Sequence, residues 1–156
     1  MPEALTATMP NDTEIVVTRT FNAPRQLVWD AHTKPELVQR WLLGPDGWTM
    51  PICEVDFRVG GKYRYGWANP SNGRAFEMGG VFKEIAPIER IVHSERFGET
   101  EALVTMVLAE TRGRTTMTLT IRYDSKQTRD AAFGTGMTTG MERSYERLDE
   151  MAAEAA

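Results

Sequence analysis

Residues 125–152, SKQTRDAAFGTGMTTGMERSYERLDEMA, hold the one long helical pattern in the chain, and the rest of the sequence is read against them. On a helical wheel Phe133, Met137, Met141, Tyr145, Leu148 and Met151 fall in one arc, with Glu142, Arg143, Glu146, Arg147, Asp149 and Glu150 opposite. One face is set for burial and the other for water, where Arg143 and Glu146, and Arg147 and Glu150, stand at pairing distance. Asp124 or Ser125 can cap the first turn. Unbroken, such a helix runs roughly 40 Å at about 1.5 Å per residue, enough to cross a small domain. Its first half is intrinsically weak: Gly134, Gly136 and Gly140 each cost about 1 kcal/mol relative to Ala, and Thr135, Thr138 and Thr139 add smaller penalties. Either the glycines let the backbone approach a crowded sheet, or the segment loosens to admit a ligand.

What precedes this stretch has the period of strands. Glu14 to Phe21 alternates Ile15, Val17, Arg19 and Phe21 against Val16, Thr18 and Thr20, so Arg19 on the apolar side requires an acidic or carbonyl partner. Two short helices follow. Ala23-Pro24 starts the first, with Pro24 at its first position, and Thr33 with Glu36 forms a capping box for the second, which Gly44-Pro45 stops. From Met50 the period is two again: Cys53, Val55, Phe57 and Val59, then, after Gly60-Gly61, Tyr63, Tyr65 and Trp67. Asn72-Gly73 marks a tight turn, Pro87 separates the strand holding Phe76 and Met78 from residues 90–97, and Gly113 joins the last two strands. About seven strands, hairpin-linked, with the helices segregated, predict an α+β domain in which a curved antiparallel sheet wraps the terminal helix.

The chain has 156 residues, enough for one core, and a formal charge of −4, which offers no general attraction to nucleic acid or anionic membrane. Cys53 is alone, and with only His32 and His93 beside it a zinc site built from Cys and His is not expected. Residues 1–12 carry no Lys or Arg and no apolar run of the kind a secretory signal needs, so they read as a flexible tail before a single domain, residues 13–156. No apolar run approaches the roughly 20 residues that span a bilayer. The expectation is a cytoplasmic protein without membrane insertion.

Several residues taken together carry a resemblance. They are Phe21-Asn22-Ala23-Pro24 leading to Val28-Trp29, then Trp41, then Asp56-Phe57-Arg58-Val59-Gly60-Gly61, Gly80 with Glu84-Ile85, Glu89-Arg90-Ile91-Val92, and Gly140-Met141 to Ser144-Tyr145 to Leu148. In this order and spacing, over about residues 13–151, the chain resembles the SRPBCC (START-like, polyketide cyclase-like) superfamily. Its branch is similar to the C-terminal domain of the activator of the heat-shock protein 90 ATPase. Leu42 departs from the commonest branch pattern, which has a second Trp there. The resemblance implies a helix-grip fold whose cavity, in many relatives, takes lipids, sterols or polyketides. It leaves activity open, because carriers and cyclases share the scaffold.

Trp41, Trp48, Tyr63, Tyr65, Trp67, Phe76, Met78, Met106, Met117, Phe133, Met137 and Met141 are the candidate lining of an apolar pocket, deformable Met between flat aromatic rings; filling a core is the alternative role for the same set. The partner this implies is an unidentified apolar small molecule. A cyclase or hydrolase using His93, Tyr63 or Glu77 at the wall is a second expectation, although no nucleophile, metal or nucleotide motif marks a catalytic residue or a cofactor. A surface-acting accessory role with a chaperone partner, suggested by the branch name, is a third, and a homodimer is compatible with all three. Asp56, Arg58, Lys62 and Arg64 read as an outward ladder of cross-strand pairs.

Overall fold

Period-two alternation puts one row of apolar side chains on each strand, and antiparallel pairing gathers those rows onto one face. The computed structural model describes residues 5–155. Its strands are β1 (Thr6–Thr8), β2 (Glu14–Phe21), β3 (Thr49–Val55), β4 (Lys62–Asn69), β5 (Arg74–Ala86), β6 (Arg90–Phe97), β7 (Thr100–Thr111) and β8 (Arg114–Arg122). They form one antiparallel sheet in the order β1-β2-β8-β7-β6-β5-β4-β3, so the long closing contact is β2 on β8. The helices are α1 (Arg25–Thr33), α2 (Pro35–Trp41), α3 (Lys126–Phe133) and α4 (Met137–Ala155). This is the helix-grip α+β architecture. Ile15, Val17 and Phe21 of β2, Val104, Met106 and Leu108 of β7, and Met117 and Ile121 of β8 are buried with Tyr145 and Leu148 of α4 in one core.

Five sequence readings need correction. First, Thr6–Thr8, assigned to a flexible tail, pairs with Val16 to Thr18 as an edge strand; the first four residues lie outside those described. Second, the terminal helix is two helices. Ser125 caps α3, its hydroxyl oxygen accepting the Thr128 N–H at 3.0 Å, but Gly134-Thr135-Gly136 interrupts the path and Gly136 sits at φ +80°, where a Cβ is strained. Third, the Thr33–Glu36 capping box does not form. Lys34 occupies the cap position of α2 without a side-chain bond, and the Thr33 hydroxyl donates back to the Trp29 carbonyl at 3.0 Å. Likewise Pro24 precedes α1 as its cap, not as its first residue. Fourth, β3 stops at Val55. Phe57 packs inward from the following loop onto Trp29 and Phe82, while Val59 is 61% exposed.

Fifth, the charged arc of α4 is only partly a water face. Arg143 Nε and Arg147 Nη2 both donate to Asp46 Oδ1, at 2.9 and 2.8 Å, and Arg147 Nη1 donates to the Gly44 carbonyl at 2.7 Å. Together they hold the carboxyl of Asp46 below its ordinary range. The Gly44 N–H donates to Ser144 Oγ at 2.8 Å, and a Cβ on Gly140 would stand 3.3 Å from Pro45 Cδ. The loop after α2 is thus strapped along α4, and the closeness that Gly140 permits is to this loop, not to the sheet. On the other flank, Asp149 Oδ2 meets Arg19 Nη1 at 2.7 Å and Asp149 Oδ1 accepts the Asn22 N–H at 3.1 Å. That is the acidic partner Arg19 requires.

Candidate functional site

The inward face can be followed by register. Val104 of β7 is buried in the core and pairs with His93 of β6, and Ala102 pairs with Glu95, so Ile91, His93 and Glu95 share the concave side with Tyr63 and Tyr65 of β4. Phe133 of α3 with Met137 and Met141 of α4 pack against the same core and stay half-buried, as Tyr65 and Leu119 do.

Polar groups are set into this apolar wall. Tyr63 Oη donates to the Ser94 carbonyl at 2.7 Å and lies 3.0 Å from His93 Nδ1. That nitrogen is also 3.1 Å from the Ser94 carbonyl. With the phenolic hydrogen on the Ser94 carbonyl, the tautomer that satisfies both contacts of His93 carries its proton on Nδ1 and leaves Nε2 as an acceptor. His32 of α1 repeats the arrangement. Its Nδ1 is 2.8 Å from the Val28 carbonyl, and its ring meets Trp41 edge-on at 4.8 Å. Burial pushes His32 down to about 4, with His93 acting on it in the same direction, and burial lowers His93 as well. Both imidazoles are neutral at pH 7.

Glu95 differs from these. Among the described residues nothing donates a hydrogen bond to its carboxylate and no cation pairs with it, and burial pushes it from the ordinary 4.5 up to about 7. Burial first, and then the charge of Glu95, raises Tyr63, Tyr123 (to about 12) and Tyr145; Tyr65 is raised by burial, then Cys53, then Glu95. Four phenols therefore lie within electrostatic reach of one carboxyl. Glu95 was visible in the sequence as a neighbour of His93 on one strand face, but alternation shows only a side, not whether a partner waits there.

The structure divides the predicted lining in two. Trp41, Tyr63, Met106 and Met117 are buried in the main core, and Tyr65, Phe133, Met137 and Met141 pack half-buried against it. Trp48, Trp67 and Met78 form a second cluster with Val38 and Met50 under α2. Phe76 stacks on Trp67 at 5.0 Å and is 37% exposed. The Trp67 indole donates to the Leu42 carbonyl at 2.7 Å. Glu77, proposed for the wall, is on the other face of the sheet, bound at 2.6 and 3.0 Å by Arg64. A surface hollow of about 640 Å³ also opens there, over Gly79 and Gly80, where Arg64, Glu77 and Glu54 already pair with one another. Among the described residues no three His, Cys, Asp or Glu side chains assemble as a metal set, and no helix is long and apolar enough to cross a membrane.

Comparison with known proteins agrees with this architecture. A crystal structure of a protein from Rhodobacter sphaeroides shares 32% identity, covers 97% of this chain and 99% of its own, and superposes with a TM-score of 0.90. A protein from Chromobacterium violaceum is 27% identical over 91% of this chain and 97% of its own, at 0.75. One from Nitrosomonas europaea, at 23% identity over 94% and 98%, superposes at 0.84 and shows the fold alone. No functionally curated protein matches. Residues 22–153, from the turn before α1 to the last turns of α4, match the family model described as activator of Hsp90 ATPase homolog 1-like protein, and the chain belongs to that branch of the SRPBCC superfamily.

Proposed function

We propose that this protein binds an apolar or amphipathic small molecule between the concave face of the sheet and the α3–α4 segment. The observation that carries the reading is a contradiction in burial. His32, His93 and Glu95 are desolvated strongly enough to shift their proton affinities, yet each keeps open surface, and so do Tyr65, Leu119, Phe133, Met137 and Met141 beside them. Side chains that line a hollow or a groove between elements have this combination; those in a filled core do not. Soft Met side chains and aromatic rings around a few polar atoms are the usual composition of such a site, and the fold supports it as a ligand-binding scaffold. The test is a thermal-shift and native mass-spectrometry screen of uncharged apolar compounds. A ligand present at about 100 times its Kd stabilises by about 2.7 kcal/mol. Binding with a raised melting temperature is expected. No bound species across the screen, with a crystal structure packed solid beside Met137, removes the reading.

A second reading draws on the same polar atoms. A carboxyl near pH 7 two residues from a neutral imidazole on one strand face suits proton transfer, which favours a cyclase or hydrolase type of enzyme over other catalytic classes. Turnover that survives Glu95→Gln combined with His93→Gln would discard it.

A further inference from the structure

Resting on the binding reading, we infer that the preferred occupant is an organic amine: an apolar body against Phe133, Met137 and Met141, and an ammonium head between Glu95 and the tyrosine rings. The argument is one of charge and of donors. Register sets His93 beside Glu95 on one strand face and Tyr63 and Tyr65 of β4 on the same concave side, and the carboxyl acts electrostatically on Tyr123 after β8 and Tyr145 of α4, while His32 of α1 lies within reach of His93. None is a cation at neutral pH. Of the buried arginines, Arg19 is held by Asp149 at 2.7 Å and Arg129 by Asp130 at 2.9 Å. His32 and His93 have used their N–H groups on the Val28 and Ser94 carbonyls and offer acceptors. The phenols of Tyr65, Tyr123 and Tyr145 can serve either way.

Outside the Arg19–Asp149 pair, the inward face therefore offers one ionisable acid without a counter-charge, amid acceptors and π-faces. A carboxylate ligand would place like charges together in a desolvated space. An alcohol supplies one donor and no charge, whereas an ammonium supplies three N–H donors and the missing positive charge, and tyrosine rings attract it further. Glu95 ionises as the ammonium arrives, so binding releases protons near neutral pH and weakens in acid.

The experiment is calorimetric titration with two bodies, octyl and naphthylmethyl, each presented as amine, alcohol and carboxylate. At pH 8 the better-fitting amine is expected to bind at least tenfold tighter than its alcohol, with the carboxylate weakest. Glu95→Gln should reduce amine affinity at least tenfold and leave the alcohol within twofold. In the unmodified protein amine affinity should fall at least tenfold from pH 8 to pH 5.5 while the alcohol's holds, a comparison that needs no variant. Equal binding of alcohol, acid and amine overturns the charge inference and leaves the binding reading standing. Binding of none of the six compounds overturns both.

Discussion

Glu95 concentrates the consequences at the scale of single residues. Its folded-state proton affinity is above the unfolded value, so between about pH 4.5 and 7 the folded chain holds the extra proton and stability falls as pH rises; the deficit then persists in base. His32 acts the opposite way, costing stability as pH drops from 6.5 toward 4. Glu95→Gln removes the first effect alone. It is expected to gain about 2–3 kcal/mol at pH 8 and little at pH 4.5, seen by calorimetry as a rise in melting temperature of about 5–10 °C at the higher pH only. Arg19 is a contrasting residue. Its guanidinium is 1% exposed, and Nε and Nη2 lack partners even with Asp149 in place. Asp149→Ala leaves that cation uncompensated and should cost about 3–5 kcal/mol in denaturant unfolding, whereas Arg19→Met with Asp149→Asn should cost far less. The need for an Arg19 partner was legible from its place on an apolar face; that it would be Asp149, on the supposed water face of the helix, was not, because a wheel shows the arc and not what closes over it.

Between elements, the link from α3 to α4 is the feature that alternation and helical period could not decide. The glycines and threonines of residues 134–140 signalled weak helix, and the two readings of that weakness were close approach and loosening. Gly140 lies close to Pro45, and Gly136 takes a left-handed turn, so these two glycines have separate causes. Gly136→Ala is expected to destabilise by about 1 kcal/mol or more, whereas Ala in place of an unstrained helical glycine would stabilise, and urea unfolding separates the two signs. The second half of α4 is held by Asp149, Ser144, Arg147 and buried Leu148, while residues 134–141 lack such clamps. Native-state hydrogen exchange should therefore be faster at residues 137–141 than at 145–150, by at least tenfold. Uniform protection along α4 would rule out a segment that opens for a ligand.

Across the whole molecule, the sheet was legible because period-two alternation is clear in strands such as β2 and β7 and turn residues separate the others, and the resemblance carried by Phe21 to Leu148 supplied the wrapping. β1 was missed because three residues, Thr6–Thr8, are too few to show a period. The interior was harder. Alternation put Tyr63, Tyr65 and Trp67 on one face of their strand, but depth along that face is a tertiary quantity, and it separates the Trp67 cluster under α2 from the core that holds Tyr63. The central claim is that an apolar molecule binds between the concave face of the sheet and the α3–α4 segment. Methionine-methyl NMR of the full chain during titration with naphthalenemethanol tests it most directly. Saturable shifts at Met137 and Met141, with Met9 unmoved, are predicted; shifts confined to Met50 and Met78, or none at all, would contradict it.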